Sequence, residues 1–310
     1  MLKEKYIIQS TDMETKLNTT VFVPEVKIKA TLIVAHGIGE HIGRYANLAK
    51  YLTERGILVA GFDFIGHGES IGKKPAMYFG NEGSWKYLVD DVIRFNHIIK
   101  DKYPVPCFIL GFSMGSFVVR TAMATGELDV SGVILAGTGS ISTILAKMVC
   151  FMIKQEAKKV GGDYKVSKKI NDLAFGNYNK YFKPTKTDFD WLCSSESGLK
   201  DYIEDPLTRK FITPGMFREL INGMAYTSQE ATIRTTIRNS KKTPLLFLSG
   251  ADDPVGDFGK SVKKVVKMYR KYIPNVEVQL FKDSRHDIFH DTCKSVVEPY
   301  IWNWMNEILK

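Results

Sequence analysis

Ser113 stands in the run Gly111-Phe112-Ser113-Met114-Gly115, directly after an apolar stretch of strand length and directly before a helical pattern. A serine held on so sharp a strand-to-helix turn must adopt a strained backbone, which only small neighbours such as Gly111 and Gly115 permit. Its hydroxyl is then presented at the end of the sheet. The helix that follows points its positive end at the same place and favours negative charge developing there. Serine is a weak nucleophile at its own pKa, so nucleophilic chemistry requires a base and a group that orients the base. When a serine sits on such a turn, the partners follow it in the chain as acid and then histidine.

The chain has six histidines, and only His286 and His290 come after Ser113. His286 lies just beyond the last apolar strand pattern, in a loop that can reach back across the strand ends, and is the expected base. His290, one helical turn later, is the alternative, expected to cap a turn or face solvent. Their spacing of four also admits a metal pair. The glutamate that zinc hydrolases place after the first histidine is missing, however, and no metal is expected. For the acid, a strand pattern ends in Ala251-Asp252-Asp253-Pro254-Val255. Asp253 is preferred to Asp252 because a following proline restricts the residue before it to extended geometry and holds its carboxylate still.

Attack on a carbonyl builds an oxyanion, which needs waiting donors, each commonly worth about a hundredfold to a thousandfold in rate. The backbone N–H of Met114 is one candidate. The other is Ile38, in Gly37-Ile38-Gly39, where two glycines let the backbone come close. No organic cofactor is required by such a set.

Placing these residues at one edge calls for a parallel sheet. Near-continuous apolar runs at 30–37, 57–64, 106–113 and 131–137 alternate with helix patterns at 45–55, 84–103 and 114–125. This rhythm predicts a mostly parallel, doubly wound α/β sheet covered on both faces, opened by a hairpin over 5–9 and 19–23. The pattern stops after Gly139 and resumes with strands at 243–250 and 276–281 and helices at 260–271 and 295–308. The simplest division is a core of 1–139 and 238–310 interrupted by a helical insertion, 140–237, over the strand ends.

With 310 residues, 44% of them hydrophobic and 25% charged, the chain can bury a large core without disulfides or metal, and a disordered or coiled-coil chain is excluded. Four scattered cysteines without a C-x-x-C pair fit a reducing cytoplasm. The first residues are polar, with no apolar signal region, and no apolar stretch reaches the roughly 20 residues of a spanning helix. Of the net +9, +7 lies between Lys147 and Lys186, where ten lysines stand against three acids with no arginine. Without arginine forks a nucleic-acid partner is not expected. Lysine-rich coding would produce the same charge without any partner.

Together HGIGEHIGRY (36–45), GHGES (66–70), GFSMG (111–115), ADDPV (251–255) and SRHD (284–287) resemble the monoacylglycerol lipase and lysophospholipase branch of the α/β-hydrolases. FDWLCSSESGLKDYIEDPL (189–207) is similar to the cap of that branch. The resemblance implies a serine hydrolase acting through Ser113, Asp253 and His286, with Ile38 and Met114 as oxyanion donors and a helical cap governing access. The chain departs from the family at Ser116, often glycine, and at Asp287, often glutamate. Family names here include aminopeptidases, which usually carry tryptophan after the nucleophile; Met114 argues against that activity.

Within the insertion, Ile141, Ile144, Leu145, Met148, Val149 and Met152 recur at helical spacing beside Lys147 and Lys154. The stripe either packs the cap on the core or, through Ile144, Leu145 and Met148, receives an acyl chain. The expected reaction is hydrolysis of a single-chain lipid ester, monoacylglycerol or lysophospholipid, through an acyl-enzyme, with transient contact of the basic cap with an anionic membrane. A general carboxylesterase, or a slow-turnover ligand-binding protein of the same fold, is the competing reading.

Overall fold

In the computed structural model residues 1–240 and 242–310 are described, with backbone alone for 237–240. Among them eight strands form one sheet: β1 (Leu2–Gln9), β2 (Lys16–Val23), β3 (Ala30–Ala35), β4 (Ile57–Phe62), β5 (Cys107–Phe112), β6 (Gly132–Ala136), β7 (Leu245–Gly250) and β8 (Val276–Phe281). Their order is β1-β2-β4-β3-β5-β6-β7-β8. β2 runs antiparallel to both neighbours, and every pair from β4 to β8 is parallel. The opening hairpin is longer than its sequence pattern predicts. Asp12 Oδ1 accepts the N–H groups of Glu14 (2.8 Å) and Thr15 (2.7 Å) and so builds the turn itself, letting both strands run up to it.

Among the described residues ten α-helices accompany the strands: α1 (Ala46–Thr53), α2 (Trp85–Lys102), α3 (Met114–Thr125), α4 (Thr143–Val160), α5 (Lys168–Asn171), α6 (Glu196–Glu204), α7 (Pro214–Thr227), α8 (Glu230–Ser240), α9 (Lys260–Arg270) and α10 (Lys294–Leu309). The central strands are apolar throughout because both faces are covered. Ile33, Ile109, Val133 and Phe247 enter one core with residues of α2, α3 and α9. Val34, Leu110, Ile134 and Leu248 enter a second with residues of α1 and α10. Strands β3, β4 and β5 stop one or two residues before their apolar runs do. Those last residues are the loops at the carboxyl edge, where β3 lies between β4 and β5 and the chain direction of winding reverses. In open α/β sheets that crevice is where ligands bind.

Between β6 and β7 come helices α4 to α7 and the turns between them, with α4 packed on α7. Helix α8 runs through the expected junction at 237/238, where the described residues carry only backbone, and packs on α3 and α9 of the sandwich. Among the described residues no helix is long and apolar enough to cross a membrane.

Candidate active site

Ser113 has φ 49° and ψ −116°, a left-handed strain that a non-glycine residue holds only where its surroundings enforce it. The two flanking glycines make the turn possible. A Cβ at Gly111 would sit 2.6 Å from the Gly115 carbonyl oxygen, and one at Gly115 only 2.0 Å from that of Ala35. Ser116 is fully buried and donates its hydroxyl to the Ser113 carbonyl (2.6 Å), so the departure from glycine there serves as a tie on the turn.

Three side chains from distant loops meet at this turn. His286 Nε2 lies 2.9 Å from Ser113 Oγ, and His286 Nδ1 lies 2.9 Å from Asp253 Oδ2. Asp253 is fully buried, and its other oxygen accepts the N–H of Val255 (2.8 Å). Asp252 instead donates its backbone N–H to Ser284 O (2.9 Å). Burial pulls the His286 pKa down, but the charge and hydrogen bond of Asp253, with Asp287 and Glu40 behind, more than offset it and leave the imidazole above its ordinary value. The rings of Phe112 (5.0 Å) and Trp191 (5.5 Å) flank it.

Ile38 and Met114 line the same cavity as Ser113 and His286, and among the described residues neither backbone N–H is used in a hydrogen bond. The loop bearing Ile38 is set by Glu40, whose carboxylate accepts Gly37 N–H (2.6 Å), Arg44 Nε–H (3.1 Å) and Tyr45 O–H (2.8 Å). His36 is wholly buried; its Nε2 accepts Phe64 N–H (2.9 Å), so Nδ1 donates to Gly37 O (2.7 Å). Burial and the neighbouring His67 keep the His36 imidazole well below its ordinary pKa, and thus neutral.

The cavity, about 360 Å³, opens above this row. The family model Hydrolase_4, described as Serine aminopeptidase, S33, matches residues 26–293. The chain belongs to this family. It is an α/β-hydrolase of the branch that resembles monoglyceride lipases. It is 35% identical to the monoglyceride lipase of Rattus norvegicus over 135 residues, which cover 40% of this chain and 43% of that enzyme. The chain thus spans less than half the length of that relative. With the monoacylglycerol lipase of Mycolicibacterium smegmatis it shares 24% identity over 295 residues, 92% of this chain and 91% of that protein. A solved carboxyl esterase from Bacillus coagulans superposes with a TM-score of 0.89 at 24% identity over the whole of both chains, a likeness of fold.

Not every residue of the apolar stripe lies where the sequence pattern places it. Of Ile144, Leu145 and Met148, only Leu145 lines the cavity. Ile144 is 76% and Met148 60% exposed. Helix α4 buries Ala146, Ile153 and Ala157 and turns Leu145 and Val149 toward the cavity, which Ile141, just before the helix, also lines. Ile144, Met148 and Phe151 are left on the outer face, because the apolar stripe is wider than the surface the cap can cover. His290 corrects a second expectation. Rather than facing solvent, it bonds Asp287 through Nδ1 (2.9 Å) and the Arg44 carbonyl through Nε2 (2.9 Å).

Sequence reading did not find the groups that hold the row in place. Arg44 bridges the loop of Ile38 to the loop of His286: it reaches Glu40, and its Nη2 donates to Asp287 Oδ2 (2.7 Å). Burial pulls the Arg44 pKa down, and Asp287 and Glu40 drive it up further still. Asp287 stays well below the usual carboxylate range despite burial, because His290 and Arg44 sit against it. Asp291, fully buried, accepts Arg285 N–H (2.7 Å), Ser194 N–H (3.0 Å) and Ser195 N–H (3.1 Å), and Asp287 N–H bonds Leu192 O (2.7 Å). The histidine loop is therefore clamped to the 192–195 segment of the insertion. The motif HGIGEHIGRY contained Glu40 and Arg44, but only as letters of a resemblance.

Proposed function

We propose that the protein is a serine ester hydrolase that cleaves single-chain lipid esters, monoacylglycerols or lysophospholipids, through an acyl-enzyme. The observation that carries this reading is the row Ser113–His286–Asp253, closed by two contacts of 2.9 Å at the wall of one cavity. His286 removes the proton of Ser113 as its oxygen attacks the ester carbonyl, and Asp253 keeps the imidazole in the tautomer that can accept it. The N–H groups of Ile38 and Met114 receive the oxyanion, aided by the N-terminal end of α3. His286 then returns the proton to the departing alcohol, and water activated by the same imidazole releases the fatty acid.

The substrate class rests on the cavity wall. Ile141, Leu145, Val149, Leu220, Ile221 and Met224 form a continuous apolar lining suited to an acyl chain. Glu40 and Asp287 also line the cavity, but both are bound to Arg44, so neither is free to receive the amine of an aminopeptidase substrate. We assign residues 140–237 to a cap over this chain. Its outer face, with Ile144, Met148 and Phe151 exposed beside Lys147 and Lys154, rests on an anionic lipid surface and brings the cavity to its substrate. Four unpaired cysteines suit a reducing cytoplasm.

The test is a fluorophosphonate probe followed by an ester panel. The wild type should be labelled at Ser113 and hydrolyse long-chain monoacylglycerol, and Ser113→Ala should do neither. An unlabelled wild type would favour the ligand-binding reading; turnover of short soluble esters alone would favour a general carboxylesterase.

A further inference from the structure

The cavity wall carries charged residues besides its apolar lining, Arg209 and Lys210 among them. There the insertion meets the loop of Ile38: Arg209 N–H donates to Gly39 O (2.7 Å). A Cβ at Gly39, whose φ is +73°, would lie 2.6 Å from the Arg209 carbonyl oxygen and 3.3 Å from the Tyr202 hydroxyl. The close approach brings Arg209 and Lys210 into the wall of the cavity that Gly39 and Ile38 also line.

Charge here is unbalanced. Each carboxylate nearby is already held: Glu40 and Asp287 by Arg44, and Asp205 by His41 Nε2 (2.8 Å) and Leu207 N–H (2.8 Å). The two cations are not. Arg209 spends one nitrogen on the carbonyls of Pro206 and Thr208, and Lys210 Nζ donates to the Asp205 carbonyl (3.0 Å); among the described residues neither forms an ion pair. Burial lowers the Lys210 pKa, Asp205 opposes this, and the charges of Arg209 and Arg44 lower it again. Arg209 is half-buried and Lys210 exposed, so both charges stand at the cavity wall where an anion can reach them.

We propose that Arg209 and Lys210 form a subsite for an anionic group on the alcohol side of the ester, a phosphate carried by the glycerol, so that lysophospholipids with anionic heads are preferred to monoacylglycerol. This rests on the ester-hydrolase reading and narrows it. An arginine offers the planar fork that phosphate accepts in two bonds, and the lysine adds a mobile point charge. Tyr202, whose ring lies 5.1 Å from the Arg44 guanidinium, walls the subsite.

The experiment compares decanoylglycerol with decanoylglycerol 3-phosphate below their micelle concentrations, in wild type, Arg209→Gln/Lys210→Gln and Arg209→Lys. The readout is the ratio of kcat/KM for the two esters, in which any general loss of activity cancels. The wild type should favour the phosphate ester by about tenfold or more, the glutamine pair should erase that ratio through KM, and Arg209→Lys, which keeps the charge but not the fork, should leave an intermediate ratio. Glycerol 3-phosphate should inhibit decanoylglycerol hydrolysis competitively at concentrations where inorganic phosphate does not. A wild-type ratio near one, a ratio unchanged in the glutamine pair, or equal inhibition by inorganic phosphate would overturn the headgroup subsite while leaving the hydrolase intact. Failure to hydrolyse either ester would instead overturn the ester-hydrolase reading.

Discussion

Replacing Arg44 by methionine removes one cation from between two buried carboxylates while keeping most of the side-chain volume. Arg44 bonds Glu40 at 3.1 Å and Asp287 at 2.7 Å, and the arginine and Asp287 side chains are 4% and 3% exposed, so solvent screens little of the pairing. Stranding a buried charge in this way costs about 3–5 kcal/mol. With unfolding entropy near 2.1 cal/mol/K per residue, a chain of 310 residues should then melt about 5–8 °C lower. The loss must depend on pH. In the wild type the depressed pKa of Asp287 adds stability that is present above the unfolded carboxylate value and is lost as pH falls through the folded one. Without Arg44 that buried carboxyl takes up a proton far more readily, so the deficit at pH 8 should shrink by pH 5. Because Arg44 joins the loops of Ile38 and His286, fluorophosphonate labelling of Ser113 should slow as well. Adding Glu40→Gln and Asp287→Asn, which removes the stranded charges, should restore most of the stability. Urea and thermal unfolding at the two pH values provide the check; a deficit below about 1 kcal/mol, or one that does not change with pH, would refute the reasoning.

Hydrolysis should need neutral His286, and because Asp253 raises that imidazole, the acid limb of kcat/KM should fall with a midpoint above 6.5; a midpoint below 6 would contradict the assignment. Asp253→Asn should reduce kcat by about 10⁴ with the fold unchanged by circular dichroism, whereas Asp252→Asn should stay near wild type. Asp291→Asn should weaken the clamp between the histidine loop and residues 194–195, lowering kcat at least tenfold with little effect on KM for a short soluble ester. Exchanging Ile144, Met148 and Phe151 for glutamate should reduce sedimentation with anionic vesicles and activity on dispersed long-chain ester while sparing a soluble one; equal loss on both would exclude surface docking.

Much of this protein follows from local pattern. The parallel strands betray themselves as unbroken apolar runs because both sheet faces are covered, and Gly111 and Gly115 betray the strained serine because nothing larger fits between the turn and the helix start at Gly111 or beside Ala35 at Gly115. The order of serine, acid and histidine then needs only proximity of strand ends, and Asp253, the aspartate before Pro254, is the one that meets His286. These features are readable because each depends on residues close in sequence or on a period of two or 3.6.

What local pattern cannot supply is which side of a helix faces what. Ile144, Leu145 and Met148 share one apolar stripe in the sequence, yet only Leu145 meets the cavity, because the rotation of α4 is set by Ala146, Ile153 and Ala157 packing below it. The same holds for charge. Arg44 is separated from Asp287, and Arg209 from Gly39, by far more chain than any motif spans, and their roles arise only where loops from different strands close on one another. Composition and spacing thus determined the fold and the loops that carry Ser113, Asp253 and His286; the tertiary structure alone decided which charges are paired and which are not, since pairing is a matter of distance through space.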